Sequence, residues 1–229
     1  MTYAISNIHG DYDSFIKMLE KIKFTEDDVM FILGDTVDYG EKTAELLCDL
    51  SVRFNVYPII GEHDAKAYKL LMGFDEMLKN GTTPDEDYVA EMSEWMQDGG
   101  KETLDAFRSL DEDMKEGILD YLAEFVPYET VTCGGKDYVL VHAGIEGFSP
   151  DKELDSYDES AFIGESIDMD KTYFENACLV VGHIPTEQIA GAIEGKIFRK
   201  GNNIAIDCGN VFGGQLGCLR LDDGKEFYV

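Results

Sequence analysis

The stretch VMFILGDTVDYG, residues 29–40, joins a short apolar run directly to a glycine and two aspartates. Short uninterrupted apolar runs are typical of strands that are buried on both faces of a parallel sheet. The polar residues that follow then lie at the carboxyl end of the strand, which is the edge where open α/β sheets bind their ligands. This stretch therefore predicts an α/β fold and a functional site that includes Asp35 and Asp38.

Similar apolar runs occur on both sides of this stretch, and amphipathic segments separate the first of them. Strands are predicted at Tyr3–Ile8, Val29–Leu33, Val56–Ile60, Tyr138–His142, Leu179–Gly182, Ile204–Asp207, Cys218–Leu221 and Glu226–Val229. Helices are predicted at Tyr12–Ile22, Lys42–Arg53 and Ala65–Leu78, with Asp13 or Ser14 capping the first and Asp64 capping the third. The alternation indicates α/β architecture, and the glycine-rich end of the chain predicts antiparallel hairpins that close a second sheet.

The length of 229 residues fits a single domain spanning 1–229. Helical periodicity continues through about residues 80–126, with breaks at Gly99-Gly100 and Asp111–Asp113. We expect this insertion to form a helical cap beside the sheet. A second irregular stretch, residues 149–170, is rich in acidic residues and is expected to be a solvated loop.

The charge balance excludes several classes of partner. The chain carries 47 Asp and Glu against 19 Lys and Arg, a formal net charge of −28. Such a surface repels nucleic acid and anionic membranes, so we expect neither as a partner. We expect neither a membrane span nor a secretory signal, because the sequence has no long apolar run and opens on a short strand-like segment. Its five scattered cysteines predict buried thiols in a reducing, cytoplasmic compartment.

The chain contains four histidines, and each follows or ends a predicted strand: His9, His63, His142 and His183. Imidazole and carboxylate groups that meet at one sheet edge predict a metal or phosphate site. Ligands of this kind, without thiolates, suit Mn²⁺, Fe or Zn²⁺. Two such ions bridged by a carboxylate form a clamp used in phosphoester hydrolysis. His63 together with Asp38 could protonate the leaving oxygen.

These residues belong to five motifs whose order and spacing are specific. They are SNIHG at 6–10, GDTVDYG at 34–40, GEHD at 61–64, VHAG at 141–144 and VGHIPT at 181–186. The set resembles the GDxHG, GDxxDRG, GNH[DE], HxG and GH motifs of calcineurin-like metallophosphoesterases, and in particular their bacterial phosphoprotein (Ser/Thr) phosphatase branch. Pro185 favours that branch, because many other members carry a second histidine there. Trp95, the Gly99-Gly100 pair and Thr103 also resemble this branch, so the likeness covers nearly the whole chain.

The resemblance implies a two-sheet β-sandwich flanked by helices, with metal ions at the strand ends. It implies a first metal held by Asn7, His9 and Asp35, and a second held by Asp35, Glu62, His142 and His183. It further implies that His63, oriented by Asp38, is the general acid, and that position 39 contacts the substrate phosphate. The expected activity is hydrolysis of a phosphorylated protein or a small phosphoester by a metal-activated water.

Three residues depart from the family pattern: Asn7 replaces an aspartate, Glu62 an asparagine and Tyr39 an arginine. An amide is a weaker metal ligand than a carboxylate, so we expect one tightly held ion at the second site and a weak or empty first site. Loss of the arginine removes a bidentate phosphate ligand. One alternative is a catalytically silent member that serves as a binding or regulatory module. Another is a site reshaped for a phosphodiester or a nucleotide.

Overall fold

The computed structural model describes residues 1–229 and contains two five-stranded sheets. The strands are β1 (Thr2–Ile5), β2 (Val29–Leu33), β3 (Val56–Ile59), β4 (Tyr128–Cys133), β5 (Lys136–Val141), β6 (Ala177–Val181), β7 (Phe198–Lys200), β8 (Asn203–Ala205), β9 (Gly217–Arg220) and β10 (Glu226–Tyr228). The first sheet has the order β10-β9-β1-β2-β3 and the second β4-β5-β6-β8-β7. Strands β1, β2 and β3 are parallel, as are β5, β6 and β8. The carboxyl ends of each parallel group therefore share one sheet edge.

Seven α-helices accompany the sheets. They are α1 (Tyr12–Ile22), α2 (Thr43–Ser51), α3 (Glu62–Asn80), α4 (Glu86–Trp95), α5 (Lys101–Arg108), α6 (Glu112–Ala123) and α7 (Ser160–Ile163). A π-helical turn, Met96–Gly100, joins α4 to α5, and within it Gly99 has a φ of 85°. This kink lies at one of the two breaks that the sequence predicts, and Asp111 caps α6 at the other.

Successive side chains of a strand point to opposite faces of the sheet. Both faces of the first sheet are covered, so its side chains enter two different cores. Ala4 and Phe31 point into a core shared with the second sheet, where they meet Leu140 of β5 and Val180 of β6. The neighbouring side chains, such as Ile5, point the other way into a core formed with α1 and α2. The predicted two-sheet α/β sandwich flanked by helices is confirmed.

Helices α3 to α6 enclose a third core that reaches the site-bearing loop after β2. Trp95, at the end of α4, is fully buried in it and packs with Val37 of that loop. Leu104 of α5 and Ile118 of α6 join the same cluster. The helical insertion thus supports the loop that carries Asp35 and Asp38.

The acidic stretch at 149–170 covers the outer face of the second sheet. Its carboxylates are exposed, as the charge pattern predicts. Phe162 and Met169 of the same stretch are buried against that sheet, together with Tyr173 just beyond it. The stretch is therefore a solvated face only on its outer side. No helix of the chain combines the length and apolar character needed to cross a membrane.

Several local predictions are wrong, each for a structural reason. Strands β4 and β7 are not among the predicted strands, because neither shows a long apolar run. Strand β4 lies at the end of its sheet with only partly buried side chains, and β7 has just three residues. Of the two hairpins near the end of the chain, β7–β8 extends the second sheet but β9–β10 extends the first. Helix α1 is capped by Asp11 and not by Asp13 or Ser14: Oδ1 of Asp11 accepts the Ser14 N–H at 3.0 Å.

Helix α3 begins at Glu62, so Asp64 is not the residue before the helix but its third residue. The Asp64 carboxylate accepts the Gly61 N–H at 3.0 Å and the Thr36 N–H at 2.9 Å. Asp64 therefore still satisfies an amide at the helix start and also ties the helix to the loop after β2. His63 lies in the first turn of this helix as a result.

Candidate metal centre

The motif residues come together where β1, β2, β3, β5 and β6 end, and their backbone is unusual there. Seven residues other than glycine have positive φ, and all but Lys23 belong to this region. The six are Asn7, His9, Asp35, Asp38, Tyr39 and His183. Such conformations are costly for side-chain-bearing residues and cluster at functional sites. The loops are shaped to aim these side chains at one another.

Asp35, His142 and His183 form the group best placed to hold a metal ion, with ligand atoms within 4.8 Å of one another. Nε2 of His142 lies 3.4 Å from Oδ2 of Asp35 and 3.1 Å from Nδ1 of His183. Nδ1 of His142 bonds the Leu33 carbonyl at 2.8 Å, which makes it the protonated nitrogen and leaves Nε2 bare. One carboxylate and two imidazoles fit Mn²⁺, Fe or Zn²⁺.

Two pKa shifts favour the metal-binding forms of this group. Burial, together with a smaller contribution from His142, lowers the pKa of His183 to about 4, so the imidazole is neutral and able to bind a cation. Burial opposes ionisation of Asp35, but His142, His9 and His63 outweigh it and bring its pKa down to about 2. Asp35 also accepts the backbone N–H of His63 at 3.0 Å. It is thus a buried carboxylate at the centre of the histidines.

Beside this group, Nδ1 of His63 bonds Oδ2 of Asp38 at 2.7 Å. Burial opposes protonation of His63, but this hydrogen bond and the charges of Asp35, Asp38 and Asp98 prevail and raise its pKa to about 9. His63 therefore carries a proton at neutral pH, and its Nε2 is free to donate. This is the arrangement of a general acid.

Asp38 is fully buried, and two residues of the helical insertion hold its carboxylate. The indole N–H of Trp95 donates to Oδ2 at 2.8 Å, and the Thr103 hydroxyl donates to Oδ1 at 2.7 Å. The Asp38 N–H in turn donates to the Thr103 hydroxyl oxygen at 2.9 Å. The sequence gives no role to Trp95 or Thr103. The only signal is their place in the stretch that resembles the phosphatase branch.

Replacing Thr103 with valine is expected to destabilise the fold by about 1.5–3 kcal/mol, because it removes a hydrogen bond to a buried carboxylate and leaves its partners unsatisfied. Urea unfolding measures this change. Thr132→Val is the matched control, because Thr132 makes a similar bond to Asp137 on the exposed face of β4, where it contributes little. Equal losses in the two variants would contradict a supporting role for Thr103.

Asn7 and His9 lie on the other side of Asp35. Nδ1 of His9 bonds the Val37 carbonyl at 2.9 Å, and Nε2 lies 3.8 Å from Oδ2 of Asp35. The Asn7 amide nitrogen donates to the same Oδ2 at 3.0 Å. The Asn7 oxygen accepts the His183 N–H at 2.9 Å. Both residues are thus brought to the site, but the Asn7 oxygen already has a partner.

The other sequence-derived site residues lie at the rim. Glu62 is the exposed first residue of α3 and is outside the group of three metal-binding side chains. The Tyr39 hydroxyl donates to Asp98 at 2.6 Å, and its ring lies 5.1 Å from that of His9 and 5.2 Å from that of Phe212.

Arg199 and Lys200, the two cations that the sequence offers in place of the missing arginine, are paired with other residues. Neither Asp35 nor Asp38 forms an ion pair with a lysine or arginine. Arg199 pairs with Glu226 at 3.2 Å, and Lys200 pairs with Asp170. Burial raises the pKa of the Cys208 thiol to about 12, which fits a core thiol and not a nucleophile.

The fold and this site define a metal-dependent phosphoester hydrolase. Residues 2–214 match the family of calcineurin-like phosphoesterases. The chain belongs to that family.

The chain is also similar to individual proteins whose names refer to nucleotide or protein phosphatases. Bis(5′-nucleosyl)-tetraphosphatase PrpE (asymmetrical) of Bacillus subtilis is 26% identical, over 96% of this chain and 90% of that protein. The same fold occurs in the crystal structure of a candidate diadenosine tetraphosphatase, with a TM-score of 0.67, 18% identity and coverage of 100% of this chain and 92% of that one. It also occurs in a protein serine/threonine phosphatase from Saccharomyces cerevisiae, with a TM-score of 0.58, 12% identity and coverage of 100% and 78%.

Proposed function

We propose that this phosphoesterase acts on a small nucleotide substrate of the bis(5′-nucleosyl) tetraphosphate class and not on a phosphorylated serine or threonine of a protein. The observation that carries the proposal is the aromatic pair Tyr39 and Phe212 beside His9. Tyr39 stands at the position where the phosphatase branch has an arginine. The full-length likeness to a bis(5′-nucleosyl)-tetraphosphatase supports it.

The chemistry of the two substrate classes explains this preference. A phosphomonoester on a protein is a dianion, and the arginine that would bind it is absent. An internal phosphate of a dinucleoside tetraphosphate carries a single negative charge, so the exposed Glu62 at the rim repels it less. The bases of the dinucleotide also have aromatic faces, on which Tyr39 and the half-exposed Phe212 can stack. Stacking then contributes binding energy that the missing cation does not supply.

In the proposed mechanism, Asp35, His142 and His183 would hold a divalent cation, with Mn²⁺, Fe or Zn²⁺ as candidates. When bound, such an ion neutralises phosphoryl oxygens and acidifies a water molecule. His63 donates the proton on Nε2 to the leaving oxygen, while Asp38 accepts the hydrogen bond from Nδ1–H and so fixes the orientation of the ring. Trp95 and Thr103 hold Asp38 in place, so the insertion contributes to the acid without touching substrate.

Phe212→Ala is expected to raise KM for a dinucleoside tetraphosphate about 5- to 150-fold, because stacking on one aromatic ring contributes about 1–3 kcal/mol. Steady-state kinetics with added Mn²⁺ tests this, with a phosphopeptide as the competing substrate. Phe54→Ala is the matched control, because Phe54 is also exposed (71%, against 55% for Phe212) but follows α2, away from the strand carboxyl ends.

Three outcomes separate the candidate functions. Preference for the dinucleotide, weakened by Phe212→Ala alone, supports the proposal. Preference for the phosphopeptide would make the chain a phosphoprotein phosphatase and overturn it. Absence of turnover on either substrate, in protein shown to contain metal, would favour the binding or regulatory module.

A further inference from the structure

The orientation of the Asn7 side chain is fixed by a partner that can only donate. The backbone N–H of His183 lies 2.9 Å from the oxygen of the Asn7 amide. Because a backbone N–H cannot accept a hydrogen bond, the amide must present its oxygen there. Gly182 permits this approach, since a Cβ at that position would lie 2.6 Å from the same oxygen. The amide nitrogen therefore faces the other way, into the site.

That nitrogen faces two bare acceptors. Oδ2 of Asp35 lies 3.0 Å away and Nε2 of His9 lies 3.5 Å away. His9 donates its Nδ1–H to the Val37 carbonyl, so its Nε2 has a free lone pair. The two hydrogens of the amide thus match two acceptors, and the whole side chain is satisfied.

We infer that the Asn7 amide group takes the place of the first cation, so that the chain binds a single tight metal ion at Asp35, His142 and His183. This inference rests on the proposed metal centre. Asp35 Oδ2 and His9 Nε2 are the atoms that a cation next to Asn7 would need as ligands. The amide already supplies them with partial positive charge.

A cation could not simply displace the amide nitrogen. Entry of a first ion would break both hydrogen bonds from Asn7. Turning the amide to offer its oxygen would set the NH₂ group against the His183 N–H, two donors facing each other. The site at Asp35, His142 and His183 shares only Asp35 Oδ2 with the Asn7 amide, and a carboxylate oxygen can accept a hydrogen bond and bind an ion at once. Neither imidazole bonds the Asn7 side chain, so an ion there leaves the amide in place.

Asn7→Asp tests the inference by restoring a carboxylate at the first position. Metal-free protein is dialysed against Mn²⁺, and manganese per chain is counted by mass spectrometry. We expect one ion in the natural chain and two in Asn7→Asp, with an exchange-coupled Mn²⁺ spectrum in electron paramagnetic resonance only in the variant. Asn80→Asp is the control, because it adds the same charge at the exposed end of α3. It should bind one ion.

Two tight ions in the natural chain would overturn the inference, as would a single ion in a folded Asn7→Asp. If Asn7→Asp fails to fold without metal, the count in the natural chain still decides. A second readout is melting temperature: two carboxylates now face each other at position 7 and Asp35, so Mn²⁺ should raise it more in Asn7→Asp than in the natural chain. These measurements need no turnover. A chain that binds one ion but hydrolyses no nucleotide would contradict the proposed substrate and leave this inference standing.

Discussion

Replacing His63 with alanine is expected to lower kcat by about 10²- to 10⁴-fold for phenyl phosphate, whose leaving oxygen is strongly basic, because this is the usual contribution of a general acid. His63 holds its proton because Asp38 accepts the Nδ1–H at 2.7 Å. Without it, the leaving oxygen departs unprotonated. The loss should be much smaller for p-nitrophenyl phosphate, and also for a dinucleoside tetraphosphate cleaved at an anhydride bond, because these leaving groups are stable as anions. Steady-state kinetics with phenyl phosphate and p-nitrophenyl phosphate measures the difference.

We expect His63, the proposed general acid, to set the alkaline limb of the pH profile of kcat. The pKa of His63 is raised to about 9, and the group is active only when protonated, so kcat should fall as pH rises through that pKa. A cation held by Asp35 would repel the imidazolium and would move this limb below pH 9. The limb should be absent in His63→Ala. Equal losses on the two substrates with reduced metal content would instead mean that His63 supports the metal centre and is not the acid.

The fold could be predicted largely from local pattern. Val29–Leu33 is a strand and Tyr12–Ile22 a helix within the bounds that their apolar spacing indicates. Four of the five residues of the strand are buried, and the buried residues of the helix, Phe15, Met18, Leu19 and Ile22, recur at helical spacing. Strand β4 escapes prediction because it lies at the end of its sheet and its side chains are only partly buried. The partner sheet of the β9–β10 hairpin depends on contacts with β1, some 215 residues earlier in the chain, which no local pattern contains.

The residue types of the candidate site could also be predicted, but not how they are supported. The histidines and aspartates that follow β1, β2, β3, β5 and β6 are visible in the sequence, and the structure brings them together. Trp95 and Thr103 reach Asp38 across 57 and 65 residues, so only the fold reveals that they hold it. The Asn7 amide is the reverse case: its identity suggests a weak ligand, and only the His183 N–H shows which end faces the site.

His142→Asn is expected to empty the metal centre. The shorter side chain can still donate an amide N–H towards the Leu33 carbonyl, but it lacks an atom in the place of Nε2, which lies 3.4 Å from Asp35 Oδ2. Loss of a partner that merely supports a ligand already lowers metal affinity about 10- to 100-fold, so loss of a ligand should exceed this. Metal counting after dialysis, with kcat on the same sample, measures the effect.

The control is Thr103→Val, which lies close to His63 and Asp38 but outside the group of three metal-binding side chains. It should lose stability and some activity while keeping its metal. His142→Asn should show the opposite order, losing metal and turnover together, with excess Mn²⁺ restoring part of both. If His142→Asn keeps a full metal complement, the ion is held elsewhere, and Glu62 with His9 becomes the ligand set to test next. The two variants therefore separate a loss of metal, which concerns Asp35, His142 and His183, from a loss of support for Asp38 and His63.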